Sequence, residues 1–425
     1  MTITIIIIIC IFLILAYIFD LTSSLTKIPS VILLLLLGWI ARQVSDFMAL
    51  PIPNLTGLLP VLGTLGLILI VLEGALELEL NRTKFKLIRK SFFGSFVSMF
   101  ALSFLVGYAF CYFGNIPLRQ GLVNAIPICI ISSSVAISSA RNLSPSNKEF
   151  VIYESSLSDI LGVLFFNFMV LNTSISIHSF YHFGIQVVII CLVSFISTIC
   201  LSFLLSKIDH PIKHAPIIIL LILIYAVSEI YHLPALIFIL FFGLFLGNID
   251  EIKNFNWIKK LNPYEFNKEV SKFKDIVIEG AFLIRAFFFT LFGFSFDTRE
   301  IINPETFGNA LLILGAIIII RAVILKISKL PIFPLLFVAP RGLITILLFF
   351  AIPASESAPL VNKSLIIQII VLSVLFMMIG LMVTGRSKKE PTKIEISDKE
   401  NENLISDSSD KNKEMIPGPF IPDSE

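Results

Sequence analysis

The chain has 425 residues, of which 56% are hydrophobic and only 15% charged, and its formal net charge is +2. Soluble domains carry about 25% charged residues, so this composition, with a mean hydropathy of +0.93, excludes an ordinary soluble protein. The near-balance of acids and bases gives no sign of a nucleic-acid partner.

A helix needs roughly 20 apolar residues to span a bilayer, fewer where its flanks snorkel or it breaks. On that rule the chain is predicted to be an all-α polytopic membrane protein with about 13 spans. The first five lie near residues 3–19, 28–45, 57–78, 87–112 and 118–141. Ile3 to Phe19 has no basic segment before it and no small-residue cleavage pattern after it, so it is expected to be a membrane helix rather than a signal peptide. The next four lie near 150–172, 184–206, 215–231 and 233–249, the last two separated only by His232-Leu233-Pro234. Four more follow near 275–297, 305–327, 333–352 and 364–385. Residues 1–385 therefore read as one transmembrane domain. Residues 386–425 are rich in Lys, Glu, Asp, Ser and Asn and are expected to form a disordered cytoplasmic tail.

Charge between the spans sets the expected orientation. Arg82, Lys84, Lys86, Arg89 and Lys90 follow the third span, and Lys253, Lys259, Lys260, Lys268, Lys272 and Lys274 follow the ninth. Smaller basic groups follow the fifth, seventh, eleventh and thirteenth. The alternate loops hold little beyond Arg42, Arg119, Arg299 and Lys363. Basic loops stay inside, which predicts the N-terminus outside and the C-terminus in the cytoplasm. A faint repeat pairs Leu72-Glu73-Gly74 with Leu291-Phe292-Gly293. Its offset of seven spans is odd, as in the inverted repeats of secondary transporters.

Ionisable groups inside spans carry the functional signal, because each costs ~2.5–3.5 kcal/mol on insertion scales. Glu154, Asp159, Arg285, Arg321 and Arg341 fall near mid-span, with Glu73 a further candidate and Glu229 nearer an end. In Glu154-Ser155-Ser156-Leu157-Ser158-Asp159, Ser155 and Asp159 stack on one helical face and Glu154 and Ser158 on another. Desolvation disfavours an ionised carboxyl, so Asp159 is suited to hold either a proton or a small cation. Ser132-Ser133-Ser134, after Pro127, offers hard oxygens where a helix can unwind. Pro340-Arg341-Gly342 marks a second break, seven spans later. Two broken helices crossing at the midplane would turn their half-helix dipoles toward an ion. Arg321 and Arg341 are expected to seek anionic partners, with Glu154 held ionised by an arginine and Asp159 free to titrate. Arg285 is expected to be structural.

Other residue types point to no metal or cofactor. Cys10, Cys111, Cys129, Cys191 and Cys200 lack metal-ligand or disulfide spacing. His178/His182 and His210/His214 have helical spacing but fall in predicted loops, without supporting acids.

On these residues the chain resembles the monovalent cation:proton antiporter superfamily, which includes bacterial sodium/proton antiporters and animal sodium/proton exchangers. The resemblance covers most of residues 1–385. Residues 154–159 look like the family's Glu-Ser-Leu-x-Asn-Asp signature, and Tyr225 through Asn248 is similar to its eighth and ninth helices. Arg321-Ala322 looks like its eleventh-helix arginine motif, and Arg341-Gly342 like the pair in its broken twelfth helix. The resemblance implies a homodimer with an elevator cycle. Segments of about 87–172 and 305–385 would form the moving core, and about 1–80 and 215–297 the dimer scaffold. It implies Asp159 as the transport carboxylate, Ser155 as a cation ligand and Glu154 as the partner of Arg321; the oxygens of Ser158, Ser132 and Ser133 are expected to complete the Na+, K+ or H+ site. Where the family often has Thr-Asp-Pro, this chain has Ser132-Ser133-Ser134, and Ser158 replaces Asn or Asp.

The resulting expectation is electroneutral exchange of Na+ or K+ for H+ across a cytoplasmic (plasma) membrane, with no cofactor, serving pH and cation balance. Rival readings are a potassium-efflux or channel-like protein without strict proton coupling, and a non-transporting sensor. An enzyme using Glu154 and Asp159 as an acid pair is disfavoured, since five helical residues set them roughly 140° apart.

Overall fold

A computed structural model of the chain describes residues 2–26, 28–48, 57–78, 80, 84–140, 143–172, 176–207, 210, 213–231, 233–249 and 263–384. Every regular element among them is helical. The elements are α1 (Thr2–Thr26), α2 (Ser30–Phe47), α3 (Leu58–Glu77), α4 (Phe85–Gly114), α5 (Leu118–Cys129), α6 (Ser133–Ser139), α7 (Pro145–Leu171) and α8 (Ile177–Lys207). They continue with α9 (His214–Ile230), α10 (Leu236–Gly247), α11 (Pro263–Phe294), α12 (Thr298–Ile301), α13 (Pro304–Ile327), α14 (Leu343–Phe350), a 3-10 turn (Ala354–Glu356) and α15 (Lys363–Thr384). The described residues up to Val383 form one compact unit. The tail predicted over 386–425 lies outside the described residues.

Ten described segments are long and apolar enough to cross a membrane, with Leu118–Ser139 taken as one, and α9 and α10 are shorter apolar helices. The chain is a multi-pass membrane protein. Its exposed side chains fit that setting: Leu192, Phe195, Ile196 and Phe203 of α8 all point away from the protein, where lipid rather than water receives them.

Helix starts follow local chemistry. Ser144-Pro145 opens α7 and Asn303-Pro304 opens α13, each with proline where no N–H is needed. Asn303 also accepts a hydrogen bond from the Glu305 N–H at 3.1 Å. The predicted segments of α8 and α11 start seven or more residues later than the helices they belong to. α11 begins at Pro263, not near 275, because Glu269 and Lys272 continue it as an ion pair at 3.0 Å. That polar extension is invisible to a hydropathy window. α8 begins at Ile177, so His178 and His182 lie on a helix instead of the predicted loop.

Two spans are broken. Pro127 lacks an N–H and crowds the preceding turn, and α5 ends at Cys129 before α6 resumes at Ser133. The segment predicted over 333–352 is helical only in α14, after an irregular approach.

Packing brings α2 and α3 against α11, and α3 against α10. Separately, α4 packs on α5, α7 and α13, and α6 on α7. Helix α3 also touches α6, α7 and α14. The α2–α11 contact is a near approach of backbones. A Cβ built on Gly38 would run into the Thr290 carbonyl, and one on Gly293 into the Leu35 carbonyl. Glycines at such crossings let helices pack closely in membranes.

Gly38→Val is therefore expected to destabilise the detergent-solubilised protein by about 1–3 kcal/mol through overpacking, read as a lower midpoint in thermal unfolding. An unchanged midpoint would contradict the α2–α11 crossing.

Candidate functional site

The two chain breaks meet. The Ser132 N–H donates to the Pro340 carbonyl at 2.9 Å, and the Ile131 N–H donates to Ser158 Oγ at 3.0 Å. Gly342 lies so near that a Cβ there would stand 2.7 Å from Ser132 Oγ. Ser132 and Ser134 share a hydroxyl–hydroxyl bond of 3.0 Å. Backbone groups freed inside a membrane must find such partners, since lipid offers none.

Arg341 completes the junction. It is 1% exposed, and its Nε donates to the Ile128 carbonyl at 2.7 Å while Nη2 donates to the Cys129 carbonyl at 3.3 Å. Its Nη1 donates to the Ala339 carbonyl at 2.7 Å, and Ser373 Oγ accepts from its backbone N–H at 3.0 Å. The guanidinium therefore caps the open carbonyl end of α5, where helix dipoles favour a cation. The expected carboxylate partner for Arg341 is not what the structure has. Peptide carbonyls take that place, because α5 terminates inside the protein.

Arg321 of α13 does meet an acid. Its Nη1 and Nη2 donate to Glu154 Oε1 and Oε2 at 3.1 and 2.9 Å, and its Nε donates to the Leu335 carbonyl at 2.7 Å. This is the planar two-pronged geometry that arginine offers a carboxylate, and both residues are buried.

Asp159 is 0% exposed. Its Oδ2 accepts from the Ser133 N–H at 3.4 Å, and its Oδ1 has no partner. Ser155 Oγ donates to the Val151 carbonyl at 2.7 Å. Ser158 is occupied by the Ile131 N–H. The structure thus gathers Ser132, Ser133, Ser158 and Asp159 at the crossing, with Ser155 one turn back along α7. Two unpartnered buried hydroxyls, Ser156 Oγ and Thr345 Oγ1, were not among the expected site residues. Ser156 stood in plain view beside Ser155. Thr345 carried no such signal.

Arg285 of α11 pairs with Glu73 of α3 at 3.1 Å, as its expected structural part requires. His214 Nε2 lies 3.4 Å from Glu269 Oε2, and the rings of His178 and His182 stand 4.3 Å apart. No group of three or more His, Cys, Asp or Glu side chains suited to a metal occurs among the described residues.

A model of the family described as sodium/hydrogen exchanger, transmembrane, matches residues 7–386. Among solved structures, the chain is similar to that of the sodium proton antiporter MjNhaP1 from Methanocaldococcus jannaschii at pH 8. That match has 19% identity and a TM-score of 0.62, and covers 91% of this chain and 100% of that one. An electron-microscopy structure of the same antiporter matches with 18% identity and a TM-score of 0.65, covering 92% and 100%. No curated protein matches the chain.

Removing one partner of a buried ion pair leaves an uncompensated charge and costs about 3–5 kcal/mol. Arg321→Met should therefore destabilise strongly, and the double variant Arg321→Met/Glu154→Gln should recover part of the loss. Additive losses in the double variant would contradict a direct Glu154–Arg321 pairing.

Proposed function

The chain belongs to the sodium/hydrogen exchanger family, and we propose that it exchanges one Na+ or K+ for one H+ by competition at Asp159. Family membership makes it a cation/proton antiporter rather than an enzyme. One observation carries the finer reading: of the described buried charges at the crossing, only Asp159 has neither an ion-pair partner nor a hydrogen bond to every polar atom.

Glu154 has Arg321 in a two-pronged pair. Arg341 is engaged by three carbonyls. Neither arginine is left for Asp159, whose Oδ1 has no partner at all. An isolated buried carboxylate is too costly to persist ionised, so its charge must be cancelled by something mobile. A proton does this by bonding to the carboxyl, and a small cation does it by coordination. The two exclude one another at one carboxyl, which makes the exchange obligatory. One carboxyl also holds one charge in either state, so the carrier crosses with the same charge each way and the exchange is electroneutral.

Ser132, Ser133, Ser155 and Ser158 are the proposed neighbours of the cation, their oxygens replacing part of its hydration shell. Access is proposed through a polar cavity of about 510 Å³ lined by Glu77, Lys84, Lys148, Glu149, Tyr153 and Lys274. From this cavity α7 leads through Ser156 to Asp159. The helices around the crossing, over about 87–172 and 305–385, would move as a core against a scaffold over about 1–80 and 215–297. Helix α3, which touches α6, α7 and α14, supports a sliding boundary there. Homodimerisation through the scaffold belongs to the same proposal. So does insertion in a plasma membrane with the N-terminus outside and the C-terminus in the cytoplasm, which the basic residues of alternate loops favour.

Proteoliposomes with an internal pH dye test this directly. Added Na+ or K+ should drive proton flux in the wild type, and Asp159→Asn should fall to the level of empty vesicles. The half-saturating cation concentration should rise as pH falls, because protons compete, and an imposed membrane potential should leave the rate unchanged. Wild-type silence with every monovalent cation would sink the proposal, and a voltage-driven rate would overturn one-for-one exchange.

A further inference from the structure

Ser156 is 4% exposed, and its hydroxyl has no hydrogen-bond partner. A buried hydroxyl in that condition has lost its bonds to water and gained none in return. Helical serines usually escape the cost by bonding the carbonyl one turn back. Ser155 does so, donating to Val151 at 2.7 Å, and Ser158 is held by the Ile131 N–H. Ser156, between them, does neither.

Its surroundings show what the hydroxyl is aimed at. Ser156 faces Gly74 of α3, where a built Cβ would stand 3.1 Å from Ser156 Oγ. An alanine methyl would crowd that oxygen, so the small residue keeps a gap at the boundary between α7 and α3. In the other direction along α7, Asp159 lies three residues on, which puts it on the same helical face. Its Oδ1 is also unpartnered and buried. Behind Ser156, Tyr153 and Ile152 line the polar cavity of about 510 Å³. Unpartnered hydroxyls also occur at Ser91, Thr198, Ser202, Ser328 and Thr345. None of these stands one turn along its own helix from a carboxylate. The signature that residues 154–159 resemble has leucine where this chain has Ser156, so the hydroxyl is an addition to that pattern and not part of it.

We infer that Ser156 Oγ is a cation ligand, coordinating a partly dehydrated Na+ as it passes between the polar cavity and Asp159. Serine oxygen is hard and neutral, as such ions require, and it binds no proton in exchange. Ser156 therefore raises affinity for the cation and leaves affinity for the proton alone. This rests on exchange at Asp159.

The test separates binding from transport. Na+ affinity of purified protein is read from Na+-dependent thermal stabilisation, for the wild type, Ser156→Ala, Ser156→Thr and Gly74→Ala. Ser156→Ala should weaken Na+ binding about tenfold, equivalent to ~1.4 kcal/mol. Ser156→Thr, which keeps the hydroxyl, should bind nearly as the wild type does. Gly74→Ala should also weaken binding, and the double variant Ser156→Ala/Gly74→Ala should be no weaker than Ser156→Ala alone, because the methyl then has room. In proteoliposomes Ser156→Ala should raise KM for Na+ similarly, while the proton concentration that half-inhibits transport stays where it was. Equal Na+ affinity in wild type and Ser156→Ala would overturn the assignment, as would no Na+ binding in either. A parallel shift in proton inhibition would do the same, since it marks a general disturbance of Asp159. Wild-type Na+ binding weakened by Ser156→Ala, but without any proton flux, would leave Ser156 as a ligand and refute exchange instead.

Discussion

A polypeptide that leaves the helix inside a membrane must satisfy its own peptide groups, and this constraint organises the whole site. α5 stops at Cys129 and α14 starts at Leu343, so two stretches of unwound backbone lie within the protein. They solve the problem largely for each other. Ser132 bonds Pro340 across the junction, and Ser158 supports Ile131 from α7. Arg341 closes the carbonyl end of α5. An arginine is well suited to that task, since its donors fan out in one plane and its charge opposes the negative end of a helix. Take it away, and several carbonyls in a low-dielectric setting would lose their donors together.

The same allocation decides which charge is left over. Arg341 is fully occupied by peptide groups, and Arg321 is locked to Glu154 and Leu335. The crossing therefore has one rigid ion pair, one rigid cap and one carboxyl without a fixed cation. Rigidity in the first two is what leaves the third open to the proposed exchange. Were either arginine free to swing toward Asp159, the site would hold its countercharge permanently and would have no need of a mobile one. In the proposed exchange the serines of the crossing are supporting oxygens, and the position of the family's fifth-helix acid is filled by uncharged Ser133. A single carboxyl leaves the total charge of the site small, which is the physical basis for expecting one-for-one exchange.

Much of this was legible in the sequence, for reasons that differ from residue to residue. Spans were visible because hydropathy is additive over twenty residues. The breaks were visible because Pro127, Pro340 and Gly342 are incompatible with, or unneeded by, an uninterrupted helix. Glu154, Asp159, Arg321 and Arg341 stood out because charge inside lipid is expensive. What the sequence did not contain was the pairing. That Arg321 and not Arg341 meets Glu154 depends on where α13 lies beside α4 and α7, and that Arg341 meets carbonyls depends on the end of α5 facing it. The early start of α11 was hidden because Glu269 and Lys272 stabilise a helix without being apolar. Ser156 was overlooked since a serine among serines looks like small-residue packing. Only its missing hydrogen bond, next to that of Asp159, sets it apart.

The central claim is that cation and proton compete for Asp159, and proton release on cation binding measures that competition without any transport. Purified protein in weakly buffered detergent solution, mixed with Na+ in the presence of a pH dye, should release protons as Na+ binds. Asp159→Asn should release none. Na+ binding detected by calorimetry with no accompanying proton release in the wild type, at any pH from acid to alkaline, would contradict the account.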